Sequence, residues 1–227
     1  MMVLDILGEL LYPPKCVLCR RLLQKGEVDL CRDCRVNAPV YPYGAKNLPP
    51  KGKVNLHFLD SFTAIWYYEE GVRRSLHRFK FYRAPHLANG YGRMLAAKLI
   101  QELPQGVDCI TWVPVSTRRR LRRGYDQAEL LARALARELK IPIARTLKKV
   151  RHNPPQSGIV SPEARRANVL GAYVPVGKLS IAGKRILLVD DIFTTGSTCE
   201  ECARVLSAMG AKEIHCAAVA SAHKREK

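Results

Sequence analysis

No stretch of this chain approaches the ~20 consecutive apolar residues of a membrane-spanning helix. The longest clean run near its middle, Ile186-Leu187-Leu188-Val189, is the size of a strand. The start lacks the basic residues of a secretory leader and places Asp5 and Glu9 inside its apolar stretch, so the expectation is a cytoplasmic protein. Acidic residues are scarce: 20 Asp and Glu stand against 38 Lys and Arg, a formal net charge of +18. That balance turns cationic partners away and attracts polyanions, namely nucleic acid, nucleotides and phosphorylated sugars. What the chain does not lack is apolar material. At 47% hydrophobic over 227 residues, neither wholesale disorder nor a mini-protein dependent on staples is expected.

Four of the cysteines fall within nineteen residues, as Cys16-Val-Leu-Cys19 and Cys31-Arg-Asp-Cys34. In a reducing compartment two Cys-x-x-Cys knuckles at this separation read as four thiolates around one tetrahedral Zn²⁺ rather than as two disulfides. A fully thiolate-ligated ion has no open position, so a structural zinc is expected at Cys16, Cys19, Cys31 and Cys34. Cys199 and Cys202 repeat the spacing but continue into Val205, Leu206 and Met209, the apolar stripe of an amphipathic helix, and read as packing in preference to redox chemistry. Cys109 and Cys216 read as core.

The expected organisation is a zinc module over residues 1–45, a Pro/Gly-rich linker over 46–57, and an α/β domain over 58–227. Within the last, strands are expected at Phe62–Tyr68, Cys109–Val115, Arg185–Asp190 and Ile214–Ala220. Helices are expected at Val72–Phe79, Leu87–Leu103, from Asp126 onward, and at Ser197–Met209. Asp126 and Glu129 form a capping box ahead of the stripe Ala128, Leu131, Ala132, Leu135, Leu139. This alternation implies a mainly parallel sheet covered on both faces.

The segment ILLVDDIFTTGST, residues 186–198, joins an apolar strand to two acids and then to a helix opening rich in hydroxyls. Unpaired backbone N–H groups at a helix N-terminus, the hydroxyls of Thr194, Thr195, Ser197 and Thr198, and Gly196, which admits close backbone approach, make a phosphate cradle. Asp190 and Asp191, one step upstream at a strand's carboxyl end, suit a diol. Phosphate beside diol is the layout of ribose 5-phosphate. His77, His86, His152 and His215 have no mutual spacing that suggests a catalytic pair.

At these residues the sequence resembles the phosphoribosyltransferases of type I fold. The resemblance implies that Asp190 and Asp191 meet the ribose hydroxyls of 5-phosphoribosyl 1-pyrophosphate (PRPP), that Thr194–Thr198 hold its 5-phosphate, and that Mg²⁺ bridges the hydroxyls and the pyrophosphate. It also implies a pyrophosphate loop at Ser116, Thr117, Arg118 and Arg119, and a lid over residues 151–169 with Gln156, Arg165, Arg166 and Asn168. Arg165 and Arg166 read equally as groups closing on pyrophosphate and as the solvated face of a short helix.

The order of features narrows the resemblance. The paired knuckles are followed by Leu76-His77-Arg78-Phe79-Lys80-Phe81, Arg122-Arg123-Gly124-Tyr125-Asp126-Gln127, Pro155-Gln156-Ser157 with Arg165-Arg166-Ala167-Asn168-Val169, and the acidic loop. Together these are similar to the ComF family over nearly the whole chain. Asp126 stands where that family more often has Asn, and Ile192-Phe193 is bulkier than its usual pair. The resemblance implies handling of single-stranded DNA during natural transformation, with a competence helicase or ATPase as partner. Nucleic-acid contacts are expected from Arg78, Lys80, Arg83, Arg120, Arg122 and Arg123, interleaved with Tyr67, Tyr68, Phe79, Phe81 and Tyr82. Arg120, Arg122 and Arg123 read equally as a solvated basic face. An active phosphoribosyltransferase of nucleotide metabolism and a non-catalytic PRPP sensor are the competing readings.

Overall fold

The structure is a computed structural model that describes residues 13–42, 56–151, 162–177, 179–223 and 225. In chain order its elements are α1 (Arg32–Asn37), β1 (Ser61–Tyr67), α2 (Glu70–Phe81), α3 (Leu87–Glu102) and β2 (Cys109–Trp112). There follow α4 (Thr117–Arg123), α5 (Gln127–Leu139), β3 (Leu147–Lys149), α6 (Pro162–Val169) and β4 (Tyr173–Pro175). The last three are β5 (Arg185–Phe193), α7 (Ser197–Ala208) and β6 (Glu213–Ser221).

The frame is a parallel sheet in the order β1-β6-β5-β2. Every residue of β1 and all but the first of β6 are buried, as strands covered on both faces must be. Successive side chains of a strand point to opposite faces, and β5 divides its apolar residues accordingly. Leu187 and Val189 enter a core with Ile110, Trp112, Ala217 and Val219, whereas Ile186 and Leu188 enter a second core with Cys109, Cys216 and Ala218. The first core takes Val72, Leu76 and Phe79 of α2, Tyr91 and Leu95 of α3, and Leu131 and Leu135 of α5. The second takes Cys199, Cys202, Val205 and Leu206 of α7, so these two cysteines are packed in an apolar interior. A short antiparallel pair, β3 with β4, stands apart from the main sheet.

The segment carrying the clustered cysteines docks on the first core. Cys16, Val17, Leu18, Leu30 and Cys31 are buried there beside α2 and α3. Gly90 of α3 permits the approach: a Cβ at that position would lie 2.8 Å from Val17 Cγ1 and 2.9 Å from Asp29 Oδ1. Three polar groups secure the contact. Ser75 Oγ donates to the Val17 carbonyl, Arg78 Nη2 donates to the carbonyls of Val17 (2.9 Å) and Leu18 (2.8 Å), and Arg93 Nε donates to Asp29 Oδ2 (3.0 Å).

Element limits differ from the sequence expectation in instructive places. β5 continues beyond Asp190 to Phe193 because Ile192 and Phe193 keep pairing with Ala220 and Ser221 of β6. β2 stops at Trp112 rather than Val115, two residues before Pro114, which has no N–H to give a ladder. The tract expected as a linker lies almost wholly outside the described residues.

Candidate functional site

Two groupings of chemically capable residues stand out. In the first, one sulfur each from Cys16, Cys19, Cys31 and Cys34 lie within 4.8 Å of one another. All four cysteines are free, and Cys16 and Cys31 are 1% exposed. A tetrahedron with Zn–S bonds of ~2.3 Å has edges of about 3.8 Å, and Cys19 Sγ stands 3.6 Å from Cys31 Sγ. The cluster is therefore able to hold one metal ion.

The second is a cleft of about 500 Å³ at the carboxyl ends of β2 and β5. Asp190 and Asp191 lie on its wall. Burial, and secondarily the charge of Asp191, push the Asp190 carboxyl up to about 7, while Lys80 acts against the rise. Asp190 Oδ1 accepts from the Asp191 backbone N–H at 2.8 Å, and Asp191 Oδ1 pairs with Lys80 Nζ at 2.9 Å. Downstream, Gly196 adopts φ +75 and caps α7; a Cβ there would fall 2.6 Å from the Phe193 ring as well as requiring a left-handed backbone. Thr194, Gly196 and Thr198 line the cleft, whereas Ser197 is buried and its hydroxyl meets that of Thr195 at 2.9 Å.

The opposite wall is basic. Val113, Pro114 and Val115 lead into α4, from which Arg119, Arg122 and Arg123 face the cleft. Ser116 is buried, and Thr117 and Arg118 are exposed outside the lining. Asp126 fixes this wall. Its Oδ2 accepts from Val115 N (2.9 Å) and its Oδ1 from Glu129 N (3.2 Å), so one carboxylate ties the loop after β2 to the first turn of α5. Both oxygens act as acceptors, which explains why an acid serves here: an amide offers only one. Burial pushes the Asp126 carboxyl up to about 6.

Several lining residues come from segments the sequence reading did not associate with this site. Lys149 of β3 approaches the Tyr173 hydroxyl of β4 at 3.2 Å, and burial, then the neighbouring Arg119, depress its pKa. His77 and Phe81 of α2, and Gln127 of α5, also border the cleft. A basic doublet in Lys148-Lys149 marks that strand, but nothing local to it says which pocket it faces.

The residues expected at a nucleic-acid surface separate into three settings. Arg78 is turned into the cysteine segment, and Lys80 into the cleft. Arg123 is half-buried, its guanidinium 5.0 Å from the Phe81 ring and its Nη1 donating to Gln127 Oε1 at 2.7 Å. Arg83, Arg120 and Arg122 are exposed. Of the aromatics, Tyr67 and Phe79 are buried in the cores, while Phe81 and Tyr82 are 49% and 69% exposed. Gln156 lies outside the described residues; Arg165, Arg166 and Asn168 lie on α6, where Asn168 is half-buried and the side chains of the two arginines lie outside the described set. No helix among the described residues is long and apolar enough to cross a membrane.

Comparison with known proteins agrees with this geometry. The family model described as "Phosphoribosyl transferase domain" matches residues 126–227. "Competence protein F" of Haemophilus influenzae is 31% identical over 216 residues, covering 88% of this chain and 93% of that protein. "DNA utilization protein YhgH" of Salmonella typhimurium is 30% identical over 209 residues, covering 88% and 86%. "Competence protein ComFC" of Bacillus subtilis is 27% identical over 147 residues, covering 65% and 58%. A parallel sheet with an acid pair at a strand end, a helix-opening loop beside it, and similarity along most of the chain lead to one assignment: the chain belongs to the ComF family and carries a phosphoribosyltransferase domain of type I fold.

Proposed function

We propose that this protein binds PRPP with Mg²⁺ in the cleft and handles single-stranded DNA during DNA uptake. The observation that carries the reading is the adjacency, on one wall, of Asp190–Asp191 at the end of β5 and the glycine-capped start of α7, facing a wall of arginines. The backbone N–H groups at the start of α7 and the hydroxyls of Thr194 and Thr198 would hold the 5-phosphate. Asp190 and Asp191 would accept from the ribose hydroxyls, and their hard oxygens suit Mg²⁺. The ion, when bound, neutralises charge on the pyrophosphate. Lys80, Arg119 and Arg123 lower the cost of bringing a polyanion beside two acids. The cysteine cluster would hold a structural Zn²⁺, and residues 1–45 and 58–227 would act as zinc module and phosphoribosyltransferase-like domain.

DNA handling rests on the rim of that cleft and the surface around it. The relatives' names speak of competence and DNA utilization, and this chain exposes Phe81, Tyr82, Arg83, Arg120 and Arg122. Exposed rings stack bases, and guanidinium groups track phosphates without regard to sequence. Two titrations test the reading. Calorimetry with PRPP and Mg²⁺ is expected to show saturable binding. Anisotropy of a labelled oligo(dT) is expected to show binding that weakens steeply with salt. Absence of PRPP binding would overturn the first half, and salt-insensitive strand binding the second. Pyrophosphate release with a panel of bases would move the protein into the transferase class.

A further inference from the structure

Helix α2 turns two faces to different surroundings. Val72, Leu76 and Phe79 enter the first core. His77 and Phe81, four residues apart and so on one side of the helix, are exposed, and their ring centroids lie 4.7 Å apart. Tyr82, also exposed, extends the row with its ring 5.5 Å from that of His77. Tilts of 47° and 53° between these rings leave no closed stack, and their apolar surface meets water. His77 and Phe81 line the cleft as well, so the row starts at its mouth. Cations edge it. The Arg123 guanidinium stands 5.0 Å from the Phe81 ring, and Arg122, exposed, lines the same cleft. At the far end Arg83 follows Tyr82 with φ +48. A left-handed backbone just past a helix end is the usual place of glycine, which has no Cβ to clash. Arginine there forgoes that relief and keeps a charge at the end of the row.

Exposed rings between guanidinium groups stack bases and track phosphates, so the two ligands of the proposed function meet at one place. We propose that His77, Phe81 and Tyr82 carry a single strand across the mouth of the cleft, and that strand and PRPP–Mg²⁺ antagonise one another there. The sign follows from charge. PRPP with one Mg²⁺ bound is still an anion, and Lys80 and Arg123 offset its charge beside the acid pair. A strand stacked on Phe81 lies beside Arg123, well within the ~10 Å Debye length of 0.1 M salt. An occupied cleft therefore neutralises cations that the strand's phosphates need, and a bound strand does the same to the ligand. Such linkage is reciprocal: the factor by which PRPP weakens the strand equals the factor by which the strand weakens PRPP. The inference rests on both halves of the proposed function and adds that the protein holds one ligand tightly at the expense of the other.

The test is anisotropy of a labelled oligo(dT) with Mg²⁺ at constant ionic strength, without and with saturating PRPP, paired with calorimetry of PRPP without and with saturating oligo(dT). Each ligand is expected to weaken the other by at least about fivefold, the low end of coupling between sites, and by the same factor. Tyr82→Ala is expected to weaken oligo(dT) by at least about fivefold, the low end of one stacked base. It should change binding of an abasic strand of equal length by less than about twofold, and Tyr82→Phe should keep the affinity of the wild type. Arg83→Gly relieves the left-handed backbone. It is expected to raise the melting temperature while lowering the slope of log affinity against log salt by about one. Equal or tighter strand binding in the presence of PRPP overturns the antagonism. No loss in Tyr82→Ala, an equal loss for oligo(dT) and the abasic strand, or an unchanged salt slope in Arg83→Gly overturns the strand's course over the rings. A wild-type chain that binds no PRPP, or no strand, removes that half of the proposed function and this proposal with it, a result seen before the ligands are combined.

Discussion

The cysteine cluster and the cleft are built on opposite plans. All four sulfurs come from one stretch of nineteen residues, so spacing alone brings them together. The cleft draws Lys80 from α2, Arg119 and Arg123 from α4, Gln127 from α5, Lys149 from β3, Tyr173 from β4 and its acids from β5. A local motif announces the first completely. It announces only one wall of the second, because the other wall depends on which strand lies beside which and on which face each helix turns inward. Arg78 and Lys80 illustrate the point. They sit two residues, about 200°, apart on one helix, and the same local basic character sends one to a backbone carbonyl of the cysteine segment and the other to Asp191.

The largest expected effect separates the two regions. Replacing both Asp190 and Asp191 by Ala removes the acceptors for the ribose hydroxyls, each charged hydrogen bond contributing about 1.5–3 kcal/mol. PRPP affinity should fall by at least ~100-fold by calorimetry, with the metal content of the chain unchanged. A simultaneous loss of metal would break the comparison.

A smaller effect comes from the docking contact. Gly90→Ala forces a methyl into Val17 and Asp29; overpacking of this kind costs about 1–3 kcal/mol. Urea unfolding should show that loss, and the clustered cysteines should react faster with a thiol reagent. If PRPP affinity falls in proportion, the two regions are coupled through α2, which carries Arg78 toward one and Lys80 toward the other.

The last effect concerns pH. The Asp190 carboxyl titrates near 7 in the folded chain against an ordinary value of 3.8. Between those values the folded state keeps a proton that the unfolded state has released, so this group's contribution to stability falls as pH rises through the window. Asp190→Asn removes the burial of that charge. Its melting temperature should match wild type near pH 4 and exceed it at pH 8, the sign that the raised carboxyl requires. Ligand binding that requires the ionised acid should strengthen toward pH 7 in wild type and lose that trend in the variant.

Much of the architecture was legible from periodicity. The stripes of α5 and α7 and the runs of β5 and β6 are where alternation and 3.6-residue spacing place them, since both arise from burial of one face or two. The phosphate-cradle loop was legible because strand, acids, glycine and helix start are contiguous. Lys149, Tyr173 and Gln127 were not, because their approach to the cleft is a product of tertiary packing. Asp126 lay between: its capping of Glu129 followed from spacing, but its hold on Val115 required the structure.

Val17 and Leu18 lend their carbonyls to Arg78, and Val17 fills the hollow above Gly90. Detached from that plug, a fragment starting at residue 58 would present Ser75, Arg78 and the apolar flank of α2 and α3 to water. Expressed alone, it is expected to aggregate, and adding residues 13–42 as a separate peptide should restore solubility only when the cysteines are reduced.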